Sequence, residues 1–431
     1  MQTSNFQIIV LGVCTALILV GIALFASFGG LLGGSSVGKV VIWGTLDADQ
    51  MQNLLDYARQ SDKSFQSVSY VEKDPATYNT ELVNAMANGS APDLFILDDQ
   101  SLNSFTDKIF TIPYSSVSQS AFLSSFIDEG QLFLTPQGSL ALPISVDPMV
   151  MYWNRDLFAA AGLGNAPAYW NDFLSLSPKI TSISTNSEVK KSAVALGQWS
   201  NIDHAKAILS TLFMQAGDQI VSRASDGSLR VVFGQDSQNS SENPATSVLN
   251  FYTQFSNPSK TSYSWNKALP KSSSSFEAGD LAVYFGLASE YAGIADLNPN
   301  LHFSVSLMPQ IEGNSTRIAY ARISGLSIPK SAHNPQGAVT IAQKLSDKAA
   351  SAYLSKELVL PSARRDVPAD TSSNAAAQVF LQSALISRTW LDPNPAGSDS
   401  IFKEMIESVV SGKSQPAEAV LNAQQELRRL F

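Results

Sequence analysis

The sequence predicts an α/β protein with an open, mostly parallel sheet and helices on both of its faces, preceded by an N-terminal transmembrane helix. Three features of the 431 residues indicate this fold class: an apolar run near the N-terminus, short continuous apolar runs typical of buried parallel strands, and amphipathic stretches that alternate with them. At roughly 100–200 residues per domain, the chain should hold two or three domains.

The apolar run near the N-terminus covers residues 6–28, which contain no charged side chain. At about 1.5 Å per residue a helix of this length spans about 35 Å, which is enough to cross a bilayer. A cleaved signal peptide begins with basic residues, whereas the first Lys or Arg here is Lys39. We therefore expect an uncleaved anchor and a Gly/Ser-rich tether, together residues 1–37, with the rest of the chain outside the cytoplasm. Cleavage near residues 26–30 is the alternative.

The cysteine and charge content argue against a disulfide and against a nucleic-acid partner. The only cysteine, Cys14, lies in the apolar run, so no internal disulfide can form. Because Val13 precedes it and the apolar core continues past it, we interpret Cys14 as a plain anchor residue and not as a lipid attachment site. The 28 basic and 37 acidic residues give a net charge of −9, which opposes extended contact with phosphate backbones.

After the tether, strand-like runs and helical stretches alternate. The first four lie at residues 40–43, 49–60, 75–88 and 92–97. Ligands of open α/β sheets bind beyond the carboxyl ends of the strands, so the residues that follow Trp43 and Leu97 are candidate site residues. Farther along, residues 138–154 predict two strand-like runs joined at Asp147 and Pro148.

Eight short segments follow the tether in a fixed order: VVIWG at 40–44, APDLFILDD at 91–99, GSLALPISVDPMVMYWNRDLFAAAGL at 138–163, WND at 170–172, ALGQW at 195–199, FEAGDLAVYFG at 276–286, ARISGLSIPKSA at 321–332 and PSARRDV at 361–367. In this order and spacing they resemble the extracellular solute-binding proteins of ABC importers, in the carbohydrate-binding group that is similar to maltose-binding protein. One such segment is a weak signal, whereas eight in order are a strong one. The resemblance covers residues 39–431.

The resemblance implies a two-lobe periplasmic-binding-protein-like fold of type II, with a hinge where the chain crosses between lobes. It places these crossings near residues 146–150, 306–310 and 367–370. The N-terminal lobe would then consist of residues 38–146 plus 310–367, and the C-terminal lobe of residues 150–306 plus 370–431. A ligand in the cleft would draw the lobes together by contacting both of them.

The resemblance also implies a function and partners. We expect a membrane-tethered receptor, anchored by a single pass in the cell membrane, that captures a mono- or oligosaccharide and delivers it to the permease subunits of an ABC transporter. Family members are usually monomers and need no cofactor. A sensor or receptor on the same fold is the alternative, and a peptide, a polyamine or another small polar solute is the alternative ligand.

A sugar presents an apolar face and a rim of hydroxyls, so its receptor needs aromatic platforms and carboxylate or amide acceptors. Asp147, at the first crossing, matches a position where the family usually has an acidic residue that reaches the ligand. Tryptophans in loops are costly unless they bind something, which favours as platforms Trp199, Trp265 and Trp390.

The remaining candidates each have a structural alternative. Trp43 is either a platform or a core aromatic, and Asp47 and Asp98 are either ligand acceptors or loop and helix-cap residues. Arg322 either binds a ligand hydroxyl or forms a structural ion pair. Phe285 lies near a loop where the maltose receptor stacks an aromatic ring on its ligand, but Leu287 and Ala288 stand after Gly286 here. That departure argues against a maltodextrin ligand.

Patterns that would indicate an enzyme do not occur in a suitable context. The G-x-S-x-G match at residues 34–38 precedes a strand, whereas a nucleophile elbow follows one. Adjacent carboxylates on an extended strand, such as Asp98 and Asp99, point to opposite faces and cannot act as a pair. No phosphate-binding loop is present, so the ATPase must be a separate chain. The histidines lack the spacing of a metal site: His204, His302 and His333.

Overall fold

The computed structural model describes residues 37–224, 228–235, 243–372 and 374–430. The predicted anchor at residues 6–28, with Cys14 inside it, lies outside the described residues. Within the ranges described, no helix is both long enough and apolar enough to cross a membrane.

The strands are numbered here in chain order. They are β1 Val40–Gly44, β2 Val68–Glu72, β3 Leu94–Asp98, β4 Ile112–Pro113, β5 Leu134–Thr135, β6 Gly138–Ser139, β7 Leu142–Asn154, β8 Ser182–Ile183, β9 Val189–Val194, β10 Val221–Arg223, β11 Leu229–Val231, β12 Leu281–Leu287, β13 Phe303–Ser306, β14 Ala319–Ser327 and β15 Ser387–Arg388.

The α-helices are numbered in the same way. They are α1 Ala48–Ser61, α2 Tyr78–Ala87, α3 Leu102–Phe105, α4 Gln119–Ser125, α5 Arg155–Ala160, α6 Asp172–Ile180, α7 Ala205–Gln215, α8 Pro244–Thr253, α9 Ser272–Glu277, α10 Tyr291–Leu297, α11 Pro335–Leu345, α12 Lys348–Leu358, α13 Ala377–Leu385, α14 Pro395–Val410 and α15 Pro416–Arg428. Short 3₁₀ helices cover Lys63–Ser67, Asp128–Phe133, Gln254–Ser256 and Ala288–Glu290.

One mixed sheet runs through the described part of the molecule. Its strand order is β2-β1-β3-β14-β7-β12-β9-β8, with β13 beside β7 and β15 beside β14. β1 pairs in parallel with β2 and β3, and β12 pairs in parallel with β9. The centre is antiparallel, because β14 lies between β3 and β7, and β7 pairs with β12. The α/β class is confirmed, but the sheet consists of two parallel regions joined by an antiparallel centre.

Local sequence explains the first βα unit. Val40 and Ile42 of β1 are fully buried. Asp47 ends the turn after this strand and caps α1, since its carboxylate accepts hydrogen bonds from the backbone N–H groups of Asp49 and Gln50 at 3.0 and 3.1 Å. The buried face of α1 has helical spacing and consists of Met51, Leu54, Leu55 and Ala58.

The segment around Pro148 differs from the prediction, because β7 is one continuous strand and not two runs joined at Asp147 and Pro148. Pro148 occupies the point where the pairing of β7 changes. Before it, β7 pairs with β14 up to Pro148 opposite Ala321; after it, β7 pairs with β12 from Met149 onward. A residue without an N–H is tolerated at such an exchange of ladder partners.

Buried apolar side chains form three clusters. The largest begins at Met149 and gathers the core from there through Tyr320, together with residues near the C-terminus. Two smaller clusters surround β1, β3 and the first half of β7. Along β14, Ala319 and Tyr320 belong to the largest cluster, whereas Ala321 and Ile323 belong to a smaller one. The bounds of the two lobes given above stay a prediction.

Candidate functional site

A cavity of about 340 Å³, the first cavity, lies where several strands of the main sheet end. One wall follows the carboxyl end of β3, and another follows the end of β12 at Leu287. β14 contributes from the centre of the sheet. The opposite wall is the loop before α7 and the segment that leads into α14. Its lining includes Asp99, Gln100, Trp199, Ser200, Asp203, His204, Lys206, Lys271, Leu287, Tyr320, Arg322, Thr389, Trp390, Asp392 and Asp399. Such a position is where open α/β sheets bind ligands.

Three aromatic side chains border the first cavity. Trp199 is half-buried and packs against the largest core cluster. Trp390 is held in place by a hydrogen bond from its Nε1 to Ser210 Oγ at 3.1 Å and by an edge contact with Phe402. Tyr320 is buried on β14. Packing behind these rings fixes them, so the half-exposed Trp199 and the small exposed parts of Trp390 and Tyr320 form rigid portions of the wall. Lys206 Nζ lies 5.5 Å from the centroid of the Trp390 ring.

Most of the charged groups around the cavity are already paired. Lys206 Nζ lies 2.6 Å from Asp392 Oδ2 and 2.9 Å from Asp399 Oδ1. Lys271 Nζ lies 3.2 Å from Asp203 Oδ1. Arg322 is different: its side chain is exposed, and no described residue forms a hydrogen bond or an ion pair with its guanidinium. The charge of Arg322 acts on Asp99 and on Asp147, which lies opposite it on β7, but its hydrogen-bond donors remain available to a ligand.

Two buried carboxyl groups lie on this side of the sheet: Asp99, which lines the cavity, and Glu129, which does not. Asp99 is 4% exposed and accepts a hydrogen bond from the Ile323 N–H at 3.0 Å. Burial, with the nearby charge of Asp98, raises the pKa of Asp99 to about 7. Glu129 is also buried, and its Oε1 has no hydrogen-bond partner among the described residues. Burial, with the charge of Asp99, raises the pKa of Glu129 well above its usual range.

A chain of hydrogen bonds connects the cavity to the central strand β7. His204 Nε2 lies 2.5 Å from Glu290 Oε1, and Tyr284 Oη donates to Glu290 Oε2 at 2.5 Å. Burial alone would raise the pKa of Glu290, but the hydrogen bonds from His204 and Tyr284 outweigh it and lower the pKa. The adjacent Ser289 donates from its N–H and its Oγ to Asp147 on β7, at 2.9 and 2.6 Å. Asp147 therefore braces a wall of the cavity and does not line it.

His204 adopts a left-handed backbone conformation with φ 58°, at the residue before α7. That conformation is costly for a residue with a side chain and persists where surrounding contacts enforce it. Here the contact with Glu290 holds the imidazole at the cavity wall.

The structure brings together some of the predicted site residues: Trp199, Arg322 and Trp390 all line the first cavity. Residues that the sequence did not single out line it as well, among them Asp99, Asp203 and Lys206. Only Asp99 had a local signal, since it follows a predicted buried strand next to Asp98. Asp203 and Lys206 come from a loop and the first turn of a helix, whose approach to β3 depends on the fold of the whole chain.

Two predicted platforms are corrected by the structure. Trp265 is fully buried, and its Nε1 donates to Asn201 Oδ1 at 3.1 Å. Its loop folds back through a backbone hydrogen bond from the Trp265 N–H to the Phe255 carbonyl, so the assumption of an exposed ring is wrong. Phe285 is buried between Trp170 and Phe173, with ring centroids at 5.2 and 5.9 Å. Neither ring is accessible to a ligand.

The three candidates near the N-terminus have structural contacts of their own. The Trp43 ring packs beneath Lys73 Nζ, 3.9 Å from the ring centroid. Asp47 is the helix cap described above. Asp98 accepts a hydrogen bond from the Ser101 N–H at 2.6 Å. None of the three lines the first cavity, and their contact with a ligand stays a prediction.

Comparison with known proteins gives matches over most of the chain. The sequence profile of the bacterial extracellular solute-binding proteins matches residues 50–352. A protein of Brucella abortus (strain 2308) that is named as a binding protein is 26% identical over 172 residues, which cover 36% of this chain and 41% of that protein. The match to this relative therefore spans less than half of its length.

Solved structures share the fold at low identity. The cyclic α-maltosyl-1,6-maltose binding protein from Arthrobacter globiformis has a TM-score of 0.74 and 17% identity, covering 91% of this chain and 98% of that one. UgpB from Mycobacterium tuberculosis in complex with glycerophosphocholine has a TM-score of 0.70 and 18% identity, with the same coverage. An ABC transporter solute-binding protein from Thermotoga lettingae bound with α-D-tagatose has a TM-score of 0.66 and 18% identity, covering 91% of this chain and 99% of that one.

These structures show that the chain has a periplasmic-binding-protein-like fold. The chain belongs to the bacterial extracellular solute-binding proteins. This membership confirms the resemblance inferred from the eight segments and supports a location outside the cytoplasm. It also confirms that the chain is a binding protein and not an enzyme.

Proposed function

We propose that this protein is a membrane-tethered extracellular receptor that binds a carbohydrate in the first cavity and delivers it to an ABC importer. The observation that carries this proposal is the pairing of two tryptophans, Trp199 and Trp390, with the unpaired guanidinium of Arg322 in a single cavity. An aromatic ring can stack on the C–H face of a sugar, and a guanidinium can donate hydrogen bonds to its hydroxyls.

Acceptor groups complete the set that a sugar needs. The carboxyl of Asp99 and the amide of Gln100 follow β3, while Asp203 stands on the opposite wall. Each can accept a hydrogen bond from a ligand hydroxyl. The names of the structural neighbours support this ligand class, since the Arthrobacter and Thermotoga proteins are described with sugars.

We propose that the ligand acts by closing two lobes across the cavity. In the residue ranges expected from the sequence, the lobes are 38–146 with 310–367 and 150–306 with 370–431. The change of core cluster between Tyr320 and Ala321 leads us to place the second crossing inside β14 and not at residues 306–310. A ligand that touches Asp99 and Trp199 together would favour the closed arrangement, because its contacts with both lobes form only there.

Delivery to the permease subunits of an importer, and tethering by residues 1–37, complete the proposed role. The transporter partner is supported by the structural neighbour from Thermotoga lettingae, which is an ABC transporter solute-binding protein. We expect the protein to act as a monomer.

A receptor for a polyamine or a peptide is the second candidate, since carboxylates surround the aromatic pair. Lys206 lies beside both Asp392 and Asp399, however, and Lys271 lies beside Asp203. Arg322 supplies the third positive charge against these three carboxylates. The cavity therefore has little net negative charge to attract a cation, and a neutral sugar is favoured.

The test is a ligand panel on the full-length protein in lipid nanodiscs, read by thermal unfolding. Mono- and oligosaccharides, amino acids, peptides and polyamines would each be added at high concentration, because a ligand at 100 times its Kd stabilises by about 2.7 kcal/mol. We expect a sugar to shift the transition and Arg322→Gln to weaken its binding at least tenfold. The control is Arg317→Gln, an exposed arginine away from the cavity. The carbohydrate assignment would be overturned if only a ligand of another class raised the unfolding temperature, or if no ligand of the panel did.

A further inference from the structure

A second cavity, of about 660 Å³, lies next to the first one on the outer side of residues 198–200. The three residues of this segment divide the two spaces. Trp199 lines the first cavity, Gln198 lines the second, and the exposed Ser200 lines both. The two cavities therefore adjoin each other at the exposed Ser200.

The wall of the second cavity is a braced loop. Tyr263 and Asn266 line it, and Asn266 Nδ2 donates to Tyr263 Oη at 2.8 Å, which fixes the ring. Between them, the buried Trp265 is fastened to Asn201 Oδ1, and Asn201 Nδ2 also donates to the Asn266 carbonyl at 2.9 Å. Tyr263 is half-buried and lines this cavity, so the part of its ring that is exposed there can contact a ligand.

Two polar side chains in the second cavity have no partner within the described ranges. Gln198 is 8% exposed, and its side-chain amide makes no hydrogen bond there. Glu407, half-buried on α14, has a carboxylate without a hydrogen bond or an ion pair, whereas the neighbouring Glu404 is paired with Lys413 at 2.6 Å. Because both side chains line the open cavity, a hydroxylated ligand there can form hydrogen bonds with the amide and the carboxylate directly.

We propose that the second cavity is a further saccharide subsite, so that the natural ligand is an oligosaccharide and not a monosaccharide. One unit lies against Trp199 and Trp390, the chain crosses Ser200, and a later unit stacks on Tyr263 with hydroxyls bonded to Gln198 and Glu407. Both cavities fall within the range of about 300–1,000 Å³ that is typical of ligand sites. This inference rests on the proposed function, because it extends the sugar that the first cavity binds.

The test compares ligands of increasing length on the full-length protein in nanodiscs by titration calorimetry. The probes are homologous series of one to six units: α-1,4-linked glucose, β-1,4-linked glucose and β-1,4-linked mannose. We expect one series to bind, and its tetramer and longer members to bind at least tenfold more tightly than its dimer. Glu407→Gln and Tyr263→Leu should reduce the affinity of the long members to that of the dimer and leave the dimer unchanged.

The matched control is Glu418→Gln, the same change on the neighbouring helix α15 at an exposed residue outside both cavities. Glu407→Gln is isosteric and on the surface, so it stays informative even if the loop variant does not fold. Equal affinity for all lengths, or an equal loss of affinity for dimer and long members, would overturn the second subsite while leaving the carbohydrate receptor intact. A failure of all three series together with the ligand panel would overturn the proposed function itself.

Discussion

Two opposite effects act on the pKa of the Asp99 carboxyl. Its buried position favours the protonated form, while its hydrogen bond from the Ile323 N–H favours the ionised one. Burial prevails, and Glu129 nearby adds a second buried carboxyl. Around neutral pH, the wall of the first cavity that follows β3 therefore carries less negative charge than its composition suggests.

Stability should consequently fall as pH rises through the range in which Asp99 ionises. The carboxyl titrates near about 3.9 in an unfolded chain and near 7 in the folded protein, so between these values the folded state binds more protons than the unfolded state. The stabilisation is complete below about pH 4 and is lost toward pH 7 and above, at about 1.4 kcal/mol per pKa unit. Urea unfolding at pH 5 and pH 8 measures it.

In Asp99→Asn the difference in unfolding free energy between the two pH values should shrink, because this side chain then releases no proton on unfolding. Asp296→Asn, an exposed position, is the control and should keep the difference of the natural protein. An unchanged difference in Asp99→Asn would show that Asp99 ionises normally in the folded state.

Substitution of two tryptophans should affect different properties: unfolding free energy for Trp265, and ligand affinity for Trp390. Trp265→Ala leaves a hole in the core and should cost about 3–5 kcal/mol of unfolding free energy. Trp265→Phe should recover most of it and lose about 1 kcal/mol for the missing hydrogen bond to Asn201. Trp390→Phe should chiefly weaken sugar binding. Urea unfolding measures the stability of each variant, and titration calorimetry measures its affinity for the sugar. A Trp265→Phe protein that is stable but fails to bind short sugars would contradict a purely structural role of Trp265.

At the scale of elements, the turn Ala288–Glu290 joins β12 to α10 and is fastened from two sides. Asp147 on β7 holds Ser289, and His204 before α7 holds Glu290. β7 contributes side chains to all three apolar clusters. A displacement of the cavity wall at this turn is therefore passed to the centre of the sheet through two hydrogen-bonded residues, Ser289 and Asp147. The acidic position at the first crossing thus acts on the cavity indirectly.

Asp147→Ala should therefore weaken ligand binding roughly tenfold without removing any residue that lines the cavity. The reason is that Ser289 loses both acceptors and the turn that carries Glu290 loosens, at a cost of about 1–3 kcal/mol for lost hydrogen bonds. Asp147→Asn retains one acceptor oxygen, so its ligand affinity should lie between those of the natural protein and Asp147→Ala. Calorimetry with the panel ligand measures the affinity; full retention of affinity in Asp147→Ala would mean that the turn is held by other contacts.

At the scale of the whole molecule, the largest apolar cluster and the two smaller ones share the strands β7 and β14. Each half of β7 packs in a different cluster, and β14 changes cluster between Tyr320 and Ala321. Bending of β7 and β14 at these few positions is the motion that the proposed closure around a ligand requires.

The panel ligand should therefore reduce the radius of gyration of the protein in solution, as measured by small-angle X-ray scattering. A sugar that gives no thermal shift is the control and should leave the scattering unchanged. Arg322→Gln should need a higher concentration of the ligand for the same contraction. A ligand that stabilises the protein yet leaves the scattering curve unchanged would contradict closure.

The parts of the molecule that could be predicted from the sequence are those set by local periodicity. β1, α1 and β3 follow from runs of buried residues and helical spacing, and Trp390 from its loop context. Trp265 shares that loop context but is buried, because a distant asparagine and the fold-back onto Phe255 decide its environment. His204 gave no signal either, since its role depends on Glu290 far along the chain.

The position of β14 also has a consequence for the order in which the chain folds. β14 pairs with β3 and β7 at the same time, although it is synthesised long after both. Until Ser327 has left the ribosome, β3 and β7 therefore each have an unpaired edge in the middle of the future sheet, and the core around them cannot be completed. Pairing of this non-local kind is slow, because the long intervening segment must be ordered before its contacts form. For an extracellular protein this delay is useful, since a chain that has not yet folded can still be threaded across the membrane.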